Sequence, residues 1–176
     1  MPNINISKYQ MNNVEVNKSI RLSQHYTLGE MTKTGTGIPN IPSRVSIENL
    51  RNICENWLEE MRYDYNTLYC LKPGEDYETS KSVEPVIITS GFRSEDVNRA
   101  VGGSPSSNHL SGCAVDIRCA GFEQAVRYAS ILLDIADDTG QDYDELFIER
   151  KKAVRYWLHF AVRPENNRRK TMFLLK

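Results

Sequence analysis

The sequence has no charge of one sign to spare, since 22 basic residues stand against 23 acidic ones for a net charge of −1. A protein built to grip a phosphate backbone carries a basic excess, so nucleic acid is not expected as a partner. No run approaches the roughly 18 consecutive apolar residues of a membrane span. The stretch Met1 to Ser19 is polar and Asn-rich, without the apolar run of about 7–15 residues that a secretory signal needs. Synthesis in the cytoplasm is therefore expected. Cysteine is sparse, and Cys54, Cys70, Cys113 and Cys119 form no C-x-x-C pair. That argues against a cysteine zinc site and for free, buried thiols. Histidine is scarcer still, at positions 25, 109 and 159 alone.

What is present suits one globular core: 176 residues, 40% hydrophobic and 26% charged. Residues 1–22 read as a polar tail or edge strand, and 23–176 as one domain expected to act as a monomer. Thr27 and Glu30 have capping-box spacing for a short helix. Ser46 suits an N-cap, followed at helical spacing by Ile47, Leu50, Cys54, Trp57, Leu58 and Met61. Residues 72–84 read as loop and Val86 to Thr89 as a buried strand. Ser94 starts a short helix over 95–100. Residues 102–107 are loop, and Ala114 to Ile117 is a strand. Residues 122–139 form a long helix, with Ala125, Val126, Ala129, Leu132, Leu133 and Ala136 inward and Gly140 as its stop. Strands follow at 145–149, 156–162 and 172–175. Helices early and strands late predict an α+β fold, with helices packed on one antiparallel sheet.

The chemistry concentrates between Ser90 and Asp116. His109 ends a Gly/Ser-rich loop, and Asp116 sits inside the apolar strand Cys113-Ala114-Val115-Asp116-Ile117. Burying that carboxylate is costly unless a cation pairs with it, and a divalent metal is the strongest such partner. His159 lies in the equally apolar Trp157-Leu158-His159-Phe160-Ala161-Val162. Two imidazoles and one carboxylate make a common catalytic zinc set with a fourth position for water.

Ser107-x-His109-x-x-Gly112-x-Ala114-x-Asp116 resembles the signature of zinc D-Ala-D-Ala carboxypeptidases and related phage cell-wall endopeptidases. Trp157-x-His159 is similar to the segment holding that family's last zinc ligand. Ile38-Pro39-Asn40-Ile41-Pro42, Glu48-Asn49-Leu50 and Ile88 to Ser94 resemble the compact branch of the family, and the likeness spans roughly residues 26–162. The resemblance implies His109, Asp116 and His159 as Zn2+ ligands. It makes Arg93 the holder of a substrate carboxylate, by its bidentate fork, and gives Ser107 a steadying hydrogen bond. The implied substrate is the peptide of bacterial peptidoglycan, cut by a carboxypeptidase or an endopeptidase. The site of action would be the cell wall, reached by export, processing or lysis.

One departure bears on mechanism. Many members place an acid three residues before the last histidine, where this sequence has Tyr156, a poor base. If 145–149 is a strand, Glu145, Phe147 and Glu149 share a face that a hairpin can bring beside His159. Glu149 is the expected general base, and Glu145 the reserve. The missing acid also leaves open a zinc-stabilised binding module without turnover, or a phage accessory protein.

Overall fold

The computed structural model describes residues 17–151 and 155–175. Helix α1 (Leu28–Met31) opens with the expected capping box, in which Thr27 and Glu30 satisfy each other's backbone amides. A long helical rod follows: α2 (Arg44–Ile53), a π turn (Cys54–Leu58) and α3 (Glu59–Tyr69). Its N-cap is Ser43 rather than Ser46, and Ser43 Oγ accepts the Ser46 amide at 3.1 Å. The expected start lies three residues late because Val45 in the first turn is exposed and adds nothing to the apolar stripe. Helix α4 (Glu95–Ala100) starts at Ser94 as expected, and α5 (Phe122–Thr139) ends at Gly140 in the left-handed region (φ 67°). Val126, expected inward on α5, is exposed, while Tyr128, Ile131 and Ile135 are buried.

The sheet has five strands, β1 (Ile88–Ser90), β2 (Ala114–Cys119), β3 (Glu145–Lys151), β4 (Arg155–Ala161) and β5 (Lys170–Leu175), in the order β1-β2-β4-β3-β5. The fold is α+β, but the sheet is mixed. All pairs are antiparallel except β3 with β5. After β4 the chain reverses and crosses to the far side of β3. It thereby keeps alternating direction and yet lies parallel to its new neighbour. Periodicity encodes which face of a strand is buried, not which strand it joins.

Alternation along the strands separates two faces. Val115, Ile117, Leu146, Ile148, Leu158 and Phe160 pack into the core with Trp57 and α5. Trp57 and Phe160 meet at 5.1 Å between ring centroids. The opposite face carries Asp116, directly paired with His159, which is in turn paired with Phe147. Residues 17–22 pack against the domain: Leu22 is fully buried, and Arg21 bridges to Thr27. The expected tail over residues 1–16 lies outside the described residues.

Candidate metal centre

His109 enters the site on a short 3-10 turn (Asn108–Ser111) whose N-cap is Ser107, with Ser107 Oγ accepting the His109 amide at 3.3 Å. Gly112 closes the turn in the left-handed region (φ 72°), where a Cβ would stand 2.4 Å from the Ser46 carbonyl oxygen. Only glycine fits there, and that close approach seats the His109 turn against α2. The chain then passes directly into β2 and presents Asp116.

Two hydrogen bonds fix the histidine rings. His109 Nδ1 lies 2.6 Å from the Gly91 carbonyl oxygen and donates to it, which leaves Nε2 facing Asp116 Oδ1 at 3.2 Å. His159 presents Nδ1 to the same Asp116 oxygen at 2.9 Å, while its Nε2 points away to Glu145 Oε2 at 3.3 Å. One donor atom from each of His109, Asp116 and His159 lies within 4.8 Å of the others. All three residues are buried. Burial opposes a charge on Asp116, yet His109 and His159 hold its carboxyl well below the usual range. Burial likewise opposes an imidazolium at His159, but Asp116 and Glu145 outweigh it and raise the pKa to about 9. Two nitrogens and a carboxylate aimed at one point fit a divalent metal by donor chemistry. The remaining ring nitrogens each find an oxygen partner, as metal-bound imidazoles do.

Arg93 lies beside the triad. Its Nη2 donates to Asp116 Oδ2 at 2.5 Å and its Nε to Ser90 Oγ at 2.8 Å. Asn40 clamps the turn that carries it, donating to the Phe92 carbonyl and accepting the Ser94 amide. Arg93 and Asp116 line a cleft of about 300 Å³ with Thr89, Trp157 and others.

The two acids expected near the site sit on the same face of β3 but in different places. Glu145 touches His159 and is further held by Asn108 Nδ2 at 3.1 Å and Arg168 Nη2 at 2.6 Å. Its carboxyl is held low, first by the His159 hydrogen bond. Glu149 pairs with Trp157, two register positions beyond Phe147 and His159 and next to them on the same face. Tyr156 faces the other way and packs on Phe122 at 5.6 Å. An offset of three reverses the face of a regular strand, so no residue at 156 could reach the centre here. His25 is remote, paired with Glu59 at 2.6 Å.

A cluster that no local pattern reveals supports Glu145. Asp144 is fully buried, bound in a fork by Arg168 at 2.8 and 2.7 Å and reached by Asn108 at 2.8 Å. Asn108 could have been suspected from its place beside His109. Arg168 gave no signal, because it resembles any basic residue of a polar loop.

Residues 75–143 match the family model of peptidase M15. That segment holds Arg93, His109 and Asp116, while His159 joins them only through the β2–β4 pairing. The chain is also similar to the crystal structure of the Serratia marcescens L-Ala D-Glu endopeptidase ChiX. The identity is 20%, with 73% of this chain and 94% of that chain covered, at a TM-score of 0.37. Among curated proteins, none matches the chain.

Proposed function

From the match of residues 75–143 to the peptidase M15 model, we propose that the chain belongs to that family and hydrolyses peptide bonds of bacterial peptidoglycan with a zinc ion held by His109, Asp116 and His159. The observation that carries this reading is the convergence of His109 Nε2 and His159 Nδ1 on one oxygen of Asp116 at the edge of a cleft. When bound, zinc supplies Lewis acidity that polarises a carbonyl and makes water easier to deprotonate.

The side chains divide the remaining work. Glu149, on the cleft face beside Trp157, serves as general base, taking a proton from water and returning it to the leaving amine. Glu145 is assigned a different task. It sits on the far side of the His159 ring, against Nε2, so it orients the ligand rather than meeting the substrate. Arg93 keeps Nη1 for a substrate carboxylate while Nη2 and Nε hold Asp116 and Ser90. Such a substrate places the site of action at the cell wall, reached by export or by lysis.

Digestion of purified peptidoglycan, with the new termini identified by mass spectrometry, tests the proposal. Release of peptide termini that depends on zinc and stops with chelator is expected. Tight zinc binding without any release would favour the reading as a binding module without turnover.

A further inference from the structure

The outer half of the cleft is cationic. Lys33, just after α1, and Lys151 and Arg155, at the end of the β3–β4 hairpin, line it together with Arg93. Lys151 and Arg155 are direct cross-strand partners. Both lie on the face that carries His159, since 155, 157 and 159 alternate together. Like charges placed directly opposite each other destabilise a strand pair. The ion pairs of Arg93 and His159 are made deeper in, with Asp116 and Glu145, and Glu149, two residues from Lys151 on the same face, is itself engaged. Three cations, two of them mutually repelling, therefore line a cleft whose inner end carries Arg93 and Asp116. An anion from outside the chain would relieve that repulsion.

We infer that this rim is a second anchoring point for substrate, selecting peptides that carry a carboxylate remote from the one Arg93 holds. The inference rests on the peptidase reading of the site and narrows its substrate class to polyanionic peptides. Arg155 stands four residues from His159 along β4. At about 3.3 Å per residue, the remote carboxylate belongs roughly 13 Å from the metal triad, some four residues along an extended peptide. Trp157, between the two points, offers an apolar surface for the intervening segment.

The test is equilibrium binding of two synthetic peptidoglycan stem peptides to the zinc-loaded protein. The two differ only in whether the carboxylates remote from the scissile bond are free or amidated. The free-acid peptide is expected to bind at least about ten-fold tighter, with a preference that shrinks as salt is raised. In the double variant Lys151→Gln/Arg155→Gln the preference is expected to vanish, while zinc content and thermal stability hold. Removing a repelling pair gives no reason for misfolding, and Lys33→Gln alone should give a partial loss. Equal affinity for the two peptides, or a preference untouched by the double variant, would overturn the inference. Failure to hydrolyse either peptide while the preference persists would instead count against the catalytic assignment alone.

Discussion

Each imidazole of the triad has two nitrogens with separate duties, and the experiments at this scale follow from that division. Removing a ligand should remove the metal: His109→Ala and His159→Ala are each expected to lose most zinc occupancy by metal analysis. Glu145→Ala leaves all three ligands but frees the His159 ring. Its zinc affinity, measured by competition with a chelator, should fall about 10–100-fold. Glu149→Gln should do the reverse, keeping zinc while turnover drops by about 10²–10⁴. If Glu149→Gln stays active and Glu145→Gln does not, the two acids have exchanged roles. Legibility differed sharply among these residues. Asp116 declared itself because a carboxylate flanked by Val115 and Ile117 needs a cation. Asp144, though more deeply buried, stands in a polar stretch beside Asp142 and Glu145. Nothing local revealed that Arg168, 24 residues away, would enclose it.

Elements were readable where chain punctuation coincided with periodicity. Helix α5 kept its expected limits because its apolar stripe ends at a glycine that can take a positive φ. The start of α2 slipped by three residues because two serines compete for the cap and the first turn buries nothing apolar. The 3-10 turn that delivers His109, just beyond the loop expected over 102–107, leaves no mark in the sequence, since four residues are too few for any period to appear. That turn is nonetheless demanding. Gly112→Ala forces a Cβ into the left-handed region and against the Ser46 carbonyl. A loss of about 1–3 kcal/mol from the backbone conformation alone is expected, with a further cost from the clash, measurable by urea unfolding. Zinc affinity should weaken with it, because the turn holds His109.

At the scale of the molecule, the proposed metal centre ties proton binding to metal binding. The His159 pKa is raised to about 9 in the folded, metal-free protein, against about 6.5 when unfolded. The protonated ring therefore favours folding in full below about pH 6.5, and this contribution is lost as pH rises through about 9. Metal-free protein is expected to lose thermal stability across that window. Zinc-loaded protein should not follow it, because the ring nitrogen facing Asp116 then carries no proton. Taking up zinc at neutral pH should release a proton from His159. Calorimetry in buffers of different ionisation enthalpy measures that release, and none would argue that the ring is already neutral. The overall architecture, helices over one sheet, was legible from element order. The parallel entry of β5 was not, because partner choice depends on where the preceding loop can reach.

The order β1-β2-β4-β3-β5 also has a consequence for how the protein is made. Asp116 and His159 are hydrogen-bonded across 43 positions of chain, and β4 is built last of the three strands that meet at the centre. A nascent chain leaving the ribosome thus displays β2 with one flank open until β4 emerges. No partial product can assemble the three ligands. The three ligand positions come together only once β4 has been made, after α5 has already left the ribosome.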